Sequence, residues 1–313
     1  MKYLISGGAG FIGSNIAERI LSLGDEVRVL DNFSTGREEN LSDIKDDIEL
    51  IRGDLRDFET VKSAVAGVDY VLHQGALPSV PRSIADPITT ADVNTGGTLN
   101  ILKASLDAGV KRVVAASSSS IYGNSPTLPK VEDMVMNPLS PYAVAKMAAE
   151  LYCRNFYNVY GLETVALRYF NVFGPKQDPT SQYSAVIPLF FSLMKSGKSP
   201  TIHGDGTQSR DFTNITNVVD ANLKACFAEN AAGEMFNIGY GENHTLLSLV
   251  ENINQILGSS IEPIFGETRQ GDVKHSLADI SKARAILGYE PSVSFAEGLK
   301  IYFETEENIP VAQ

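Results

Sequence analysis

Tyr142 and Lys146 are the side chains whose types and spacing suggest proton-transfer chemistry. They lie four residues apart within Ser-Pro-Tyr-Ala-Val-Ala-Lys, residues 140–146, and residues at this spacing share one face of a helix. A tyrosine, with an ordinary pKa of about 10, is a poor base at neutral pH. A cationic lysine one turn away would stabilise the phenolate and lower that pKa. Because a lone Tyr-x-x-x-Lys pattern is usually a solvent-exposed helix face, the assignment depends on its surroundings.

Two further stretches supply the missing parts of such a site. Four serines, Ser117 to Ser120, follow a predicted strand at 112–116, and one of them could orient a substrate hydroxyl. At the start of the chain, the apolar run 3–6 enters the glycine-rich turn Gly7–Gly13, and helical periodicity begins at about Asn15. Strand, glycine turn and helix together predict a site for a dinucleotide pyrophosphate. The positive nicotinamide ring of such a cofactor would add to the effect of Lys146.

Asp31 ends a second predicted strand, 26–31, and lies 18 residues after Gly13. This offset is typical of the carboxylate that binds the adenosine ribose hydroxyls and repels a 2′-phosphate. The sequence therefore predicts NAD rather than NADP. Arg28 and Arg37 flank Asp31 and could hold a phosphate, which leaves the alternative open.

The elements that must position these groups alternate between strand and helix. Further strands are predicted at 48–52, 68–73 and 162–168, and helices at about 86–108 and 141–160. This alternation predicts an α/β fold with a Rossmann-like, doubly wound parallel sheet. We expect an NAD-binding domain over 1–171, with returning segments at about 212–239. A smaller C-terminal α/β region that binds substrate is expected over 172–211 and 240–313.

Composition and net charge indicate which partners, metal sites and cellular location to expect. The 313 residues carry 26 Lys and Arg against 38 Asp and Glu, a net charge of −12, which argues against nucleic-acid or anionic-membrane partners. Cys153 and Cys226 are expected to be buried, reduced thiols. The four histidines show no metal-ligand spacing, so no metal is expected. The first strand starts at once and the longest apolar stretch is short, so we expect a cytoplasmic protein without a membrane span.

Over essentially its whole length the chain resembles the extended short-chain dehydrogenase/reductases, and among them the UDP-hexose 4-epimerases. The motifs are Gly-Gly-Ala-Gly-Phe-Ile-Gly (7–13), Asp31-Asn32, Gly53-Asp54-Leu55, Ser-Ser-Ser-Ser-Ile-Tyr-Gly (117–123), Ser-Pro-Tyr-Ala-Val-Ala-Lys (140–146) and Leu-Arg-Tyr-Phe-Asn-Val-Phe-Gly-Pro (167–175). The resemblance implies Ser118, Tyr142 and Lys146 as catalytic residues, with Ser117 and Ser119 as adjacent alternatives for the serine. It also implies a homodimer through the helices near 94–108 and 142–160.

The resemblance implies two sets of binding residues. Tightly bound NAD would contact Gly7, Gly10, Phe11, Ile12, Gly13, Asp31, Asn32, Asp54, Leu55, Gln74, Ala76, Asn94, Tyr142, Lys146 and Tyr169. A UDP-sugar would contact Ser79, Ser118, Tyr142, Asn171, Val186, Arg210, Arg269, Asp272 and Ser276. Arg210 and Arg269 would bind the UDP, because guanidinium groups fit phosphate oxygens. Without the resemblance, a salt bridge with Asp211 or with another surface carboxylate would be the preferred interpretation of Arg210.

The same comparison favours one reaction. Dehydratase relatives carry an Asp-Glu pair after the catalytic serine or threonine, and decarboxylating relatives a nearby glutamate, whereas Ser119-Ser120 follow here. We therefore expect NAD-dependent epimerisation at C4 through a 4-keto intermediate, with a UDP-sugar dehydratase or decarboxylase as the alternative. A silent NAD-binding regulator is disfavoured because Tyr142 and Lys146 are both present. Small Ser276 leaves room for an N-acetyl group, which implies UDP-GlcNAc and UDP-GalNAc, with UDP-Glc and UDP-Gal as additional substrates.

Overall fold

The computed structural model describes residues 1–178, 186–267 and 274–307. Its strands are β1 (Lys2–Ser6), β2 (Glu26–Asp31), β3 (Ile48–Arg52), β4 (Tyr70–His73), β5 (Arg112–Ser118), β6 (Thr164–Tyr169), β7 (Val172–Phe173), β8 (Thr201–His203), β9 (Ser209–Arg210), β10 (Thr213–Asn214), β11 (Glu234–Ile238), β12 (His244–Thr245) and β13 (Ile264–Gly266). Its α-helices are α1 (Phe11–Ser22), α2 (Phe58–Val65), α3 (Val80–Ala85), α4 (Pro87–Ala91), α5 (Gly97–Ala108), α6 (Pro141–Tyr160), α7 (Val186–Lys195), α8 (Ile215–Phe227), α9 (Leu246–Leu257), α10 (Ser281–Leu287) and α11 (Phe295–Glu307).

Seven parallel strands form the central sheet in the order β11-β6-β5-β4-β1-β2-β3. Apolar runs such as Val113-Val114 in β5 are fully buried because helices cover both faces of the sheet. The chain order reverses direction at β1, with β2 on one side and β4 on the other. Ligands of open parallel sheets bind at the carboxyl ends of strands beside such a reversal. The prediction of a doubly wound parallel sheet is confirmed.

Helix α6 begins as the sequence predicts. The Ser140 side chain accepts a hydrogen bond from the Ala143 N–H, and Pro141 occupies the first turn, where a missing N–H is tolerated. The helix runs for 20 residues and ends at Gly161, whose φ of +72° suits a left-handed helix end. Its buried face lies against β5 and β6, which sets Tyr142 and Lys146 at the sheet edge.

The helical pattern at 86–108 is not one regular helix, which corrects the prediction. Helices α4 and α5 are separated by a π-helical segment, Asp92–Gly96, that adds one residue to the turn. The Asn94 side chain in that segment accepts from the Leu77 N–H at 2.7 Å and donates to the Leu77 carbonyl oxygen at 3.0 Å. A π segment often marks a functional site. Here it ties the loop that follows β4 to the helix.

Part of the chain after β6 packs apart from the central sheet, and part of it returns to that sheet. Helices α7, α9 and α11 enclose a separate apolar cluster that includes Phe191, Leu249 and Tyr302. Helix α8 packs on α1, and β11 pairs with β6 in the main sheet. Within the described residues, none of the helices has the length and apolar character needed to cross a bilayer.

Candidate active site

Ser118, Tyr142 and Lys146 meet at the carboxyl edge of β5. Ser118 ends that strand, and its hydroxyl lies close enough to the Tyr142 phenol for a hydrogen bond that lowers the pKa of that phenol. One helical turn further on, the Lys146 ammonium donates to the Ala116 carbonyl oxygen at 2.8 Å. The structure therefore brings the three predicted catalytic side chains together.

Burial dominates the ionisation of this site. It lowers the pKa of Lys146, which is 7% exposed, to about 8. It also raises the pKa of Tyr142, while the hydrogen bond from Ser118 acts in the opposite direction. The expected lowering of the Tyr142 pKa by Lys146 is therefore not produced by the protein's own groups. The phenol is the resting form, and an added positive charge is needed to favour the phenolate.

The adjacent serine, Ser117, points to a different partner. Its hydroxyl donates to Glu150 at 2.7 Å, and Glu150 forms a bidentate pair with Arg168 at 2.6 and 3.0 Å. Both charged residues are 2% exposed. Glu150 follows Tyr142 and Lys146 on the same face of α6, so the buried pair fixes α6 to β5 and β6. The sequence analysis missed this pair, because only the fold brings Arg168 to α6.

The glycine turn has the tight geometry that the sequence predicts. Gly7 has a φ of +68°, and a Cβ there would lie 2.6 Å from the Gly75 Cα. A Cβ on Gly13 would lie 2.3 Å from the Gly7 carbonyl oxygen. Helix α1 starts at Phe11 without a side-chain cap. The first-turn N–H groups around Phe11 and Ile12 therefore suit an anionic ligand.

Asp31 lies at the end of β2 with its carboxylate turned into the glycine turn. It accepts from the Ala9 N–H at 2.9 Å and from the Phe33 N–H at 2.8 Å, while burial raises its pKa. Arg28, the possible phosphate ligand, is engaged elsewhere: it donates to the carbonyl oxygens of Ala64 and Ala66 at the C-terminal end of α2 and pairs with Glu49. The Arg28 alternative is therefore wrong, which removes one route to NADP binding.

The side chains expected around the rest of the cofactor are engaged with one another. Asp54 accepts from Arg56 and from Asn32 at 2.8–2.9 Å, which holds its pKa well below the ordinary value. Gln74 and Tyr169 are hydrogen-bonded at 3.1 Å and share Asn222 as a partner. Leu55 is buried, and Ala76 is partly buried. These residues surround the carboxyl ends of β3, β4 and β6.

His73, at the end of β4, is a buried histidine whose two ring nitrogens are both hydrogen-bonded. The Thr98 hydroxyl donates its proton to the Asn94 carbonyl oxygen, so it accepts from the Nε2–H of His73 at 3.0 Å. The other ring nitrogen of His73, Nδ1, therefore accepts from the Ser6 hydroxyl at 2.6 Å. Burial lowers the pKa of His73 to about 3, so it stays neutral. Among the described residues, no cluster of His, Cys, Asp and Glu has a metal-binding arrangement. Cys153 and Cys226 are buried and free, as expected.

The other described residues expected to bind substrate, Ser79, Asn171, Val186, Arg210 and Ser276, lie in five segments of the chain. Ser79 caps α3 with a φ of +93°, Asn171 lies exposed between β6 and β7, and Val186 begins α7. Ser276 is partly buried, and its N–H donates to the Ser209 carbonyl oxygen at 3.0 Å. It therefore lies beside Arg210, the next residue of β9. Arg269 and Asp272 lie outside the described residues.

Asp211 does not form the salt bridge with Arg210 that the sequence left open. It is fully buried and accepts from the N–H groups of Tyr240, Gly241 and Ala278 at 2.8–3.1 Å, and burial raises its pKa to about 6. Arg210 instead donates to the carbonyl oxygens of Ser209 and Lys274. Asp211 thus joins β9 to the segment that carries Ser276.

Comparisons with known proteins agree with this architecture. Residues 3–239 match a family described as the NAD dependent epimerase/dehydratase family. The chain is 38% identical, over 96% of both chains, to a UDP-glucose 4-epimerase of Mycolicibacterium smegmatis. It superimposes with a TM-score of 0.93, 38% identity and 98% coverage of both chains on a UDP-N-acetylglucosamine 4-epimerase from Methanobrevibacter ruminantium, solved with UDP-N-acetylmuramic acid. The TM-score is 0.89, at 36% identity and 98% coverage of this chain and 99% of the other, for a Thermus thermophilus UDP-glucose 4-epimerase complexed with NAD.

Proposed function

The chain belongs to the NAD dependent epimerase/dehydratase family, and from that premise we propose that it is an isomerase that inverts C4 of UDP-hexoses. The observation that carries the proposal is that Ser118, Tyr142 and Lys146 meet at the same carboxyl edge of the sheet as the uncapped start of α1. Proton transfer and dinucleotide binding are thereby combined at one sheet edge.

The site residues fit NAD, which is the cofactor of this family. The uncapped first turn of α1 suits the pyrophosphate, and the buried Asp31 carboxylate suits the ribose hydroxyls. Bound NAD supplies the hydride acceptor and, in its oxidised form, a positively charged ring. Burial raises the pKa of Tyr142, so forming its phenolate needs an added positive charge, and this ring would supply that charge.

The proton steps are assigned to this chain's own residues. As the phenolate, Tyr142 would take the proton of the C4 hydroxyl while Ser118 orients that hydroxyl, and the C4 hydride would be accepted by the oxidised cofactor, so that the sugar becomes a 4-keto sugar. The keto sugar then turns about its link to the diphosphate and presents its other face, and Tyr142 returns the proton. Arg210, together with Arg269, holds the UDP during this turn, which keeps the reactive sugar at the site. Hydride leaves and returns within one turnover, so no net oxidation occurs.

The alternative within the family is elimination or decarboxylation. Elimination requires a general acid beside the catalytic serine. Ser119 and Ser120 occupy that place as a short 3₁₀ segment, and Glu150 is fully engaged with Ser117 and Arg168. The nearby chemistry therefore favours epimerisation.

The small side chain of Ser276 supports the substrates that we propose. The side chain is small, and its backbone is fixed against β9 next to Arg210. A small side chain at this point leaves room for a C2 substituent. We assign UDP-GlcNAc and UDP-GalNAc as one substrate pair and UDP-Glc and UDP-Gal as a second.

Incubating the purified protein with each UDP-sugar and resolving the products by chromatography and mass spectrometry tests the proposal. Epimerisation gives a new peak of unchanged mass without added NAD. A product lighter by water or carbon dioxide would replace the proposal by a dehydratase or decarboxylase. Consumption of one NAD per molecule of product would also contradict the proposal of an epimerase.

We also propose a cytoplasmic homodimer. Large apolar side chains are exposed along the adjoining helices α3, α4 and α6, with Ile84 65%, Ile88 73% and Leu151 46% exposed. Contiguous exposed apolar surface of this kind usually lies in an interface. Light scattering should give twice the chain mass, and Ile88→Glu should give the monomer. Val135→Glu, at an exposed loop position outside these helices, is the control. A monomeric wild type would contradict the proposal.

A further inference from the structure

Lys176 is held in an unusual conformation by two contacts. It is a non-glycine residue with a φ of +71°, in the left-handed region that side chains disfavour. Its ammonium pairs with Glu18 of α1 and donates to the Asn40 carbonyl oxygen at 2.7 Å. Such a conformation persists only where the surroundings hold it. The two contacts therefore fix the chain just after β7.

Both partners belong to the walls of the glycine turn. Asn40 donates from its side chain to the Ala9 carbonyl oxygen at 2.9 Å. Glu18 lies on α1, the helix whose first turn faces the pyrophosphate site. A third link comes from Asn15, which donates to the carbonyl oxygen of Pro175 at 3.2 Å. The segment 175–176 thus joins the two sides of the turn.

A second charged contact lies beside this one. The Arg37 guanidinium is 3.6 Å from the Asp178 carboxylate, and the Arg37 N–H donates to the Ala9 carbonyl oxygen at 2.9 Å. The Ala9 carbonyl oxygen therefore accepts hydrogen bonds from both Arg37 and Asn40. Asn40 also contacts Lys176, and Arg37 also contacts Asp178. Movement of this segment away from α1 would release the glycine turn on its outer side.

We propose that Lys176 is a positioning residue for the cofactor, which holds both walls of the glycine turn together and thereby slows the release of NAD. The proposal rests on the proposed function only in that NAD binds at Gly7–Gly13. An enzyme that reduces and reoxidises its cofactor within one turnover must retain it between the two transfers. Lys176 performs this task without belonging to the catalytic set.

Exchange of bound NAD against labelled NAD tests the proposal directly, without relying on turnover. Lys176→Ala and Glu18→Gln, compared as purified holoproteins, should release NAD about tenfold faster than wild type. Tenfold corresponds to about 1.4 kcal/mol, within the range of one hydrogen bond to a charged group. Lys176→Arg should restore slow release because it keeps the cation. Lys45→Ala, at an exposed lysine just after the 3₁₀ segment Glu38–Ile44, should leave the rate unchanged.

Salt separates a charged tether from a general effect on folding. Raising the salt from about 0.05 to about 0.5 M screens partly exposed ion pairs, so it should speed release from the wild type and change the Lys176→Ala rate much less. Equal release rates in wild type and Lys176→Ala, with only the melting temperature lowered, would overturn the proposal. If Lys176→Ala does not fold, Glu18→Gln decides.

A wild type purified without NAD would refute tight retention in the proposed function, but it would not decide the role of Lys176. In that case the Kd of added NAD is measured by titration. A value about tenfold weaker in Lys176→Ala and Glu18→Gln supports the positioning role, and equal values refute it.

Discussion

Replacing Lys146 by methionine should change how the stability of the protein depends on pH. Lys146 is buried, and its pKa falls from the ordinary 10.5 to about 8 in the folded chain. Below pH 8 folding must therefore bury a charged ammonium. Above pH 8 the folded chain has lost this proton while the unfolded chain keeps it until about pH 10.5. The folded state thus gains stability from this residue as pH rises through that window.

The size of the effect follows from the two pKa values. At 1.36 kcal/mol for each pH interval of one, the buried charge costs about 3 kcal/mol at neutral pH, and about 2 kcal/mol of this is recovered between pH 7.5 and 10. Lys146→Met carries no such charge. The free energy of unfolding of the variant minus that of the wild type should therefore fall by about 2 kcal/mol over the same interval.

Urea unfolding of both proteins, stripped of cofactor with charcoal, measures this difference. Cys153 and Cys226 have pKa values raised by burial to about 12, so they lower the stability of both proteins above pH 9. Taking the difference between the two proteins removes the contribution of Cys226 and leaves, for Cys153, only the influence of Lys146 on its pKa. A difference that stays constant from pH 7.5 to 10 would refute the reasoning, because Lys146 would then ionise alike in the folded and unfolded chains.

Three further outcomes are expected. Tyr142→Phe should lower kcat by about 10²–10⁴-fold with an unchanged circular dichroism spectrum, since it removes the proton acceptor; a loss below tenfold in steady-state assays would contradict this role. Ser276→Tyr should abolish turnover of the N-acetylated pair and spare UDP-Glc and UDP-Gal, and equal loss of both would refute the pocket assignment. Gly13→Ala places a Cβ 2.3 Å from a backbone oxygen and should reduce the NAD bound per chain at least about tenfold, whereas Gly96→Ala, with nothing within 4 Å of its added Cβ, should not.

The part of the site that depends on local pattern could be predicted from the sequence. Alternating apolar strands and helices gave the parallel sheet, and the glycine spacing after β1 gave the dinucleotide turn. Tyr142 and Lys146 could be predicted as a pair because residues at i and i+4 share a helix face regardless of the rest of the fold. Ser118 followed only from the family resemblance at the motif 117–123.

The part of the site that depends on residues distant in the chain could not be predicted from the sequence. The π-helical segment at Asn94 arises from contacts with the loop after β4, so a helical period over 86–108 gives no sign of it. Arg28 and Arg210 both carry charges suited to phosphate, yet their actual partners are set by the neighbouring strands and loops. A sequence shows which charges exist but not which carbonyl or carboxylate each will meet.

What the sequence by itself determined was the family and the sheet, together with the candidates for the reacting groups, because these rest on spacing along one strand, turn or helix. The tertiary structure decided the properties of those groups. Burial beside the sheet lowers the pKa of Lys146, and the Glu150–Arg168 pair, 18 residues apart in the chain, fixes α6 where Tyr142 meets Ser118. Both effects come from packing between elements, which local spacing does not encode.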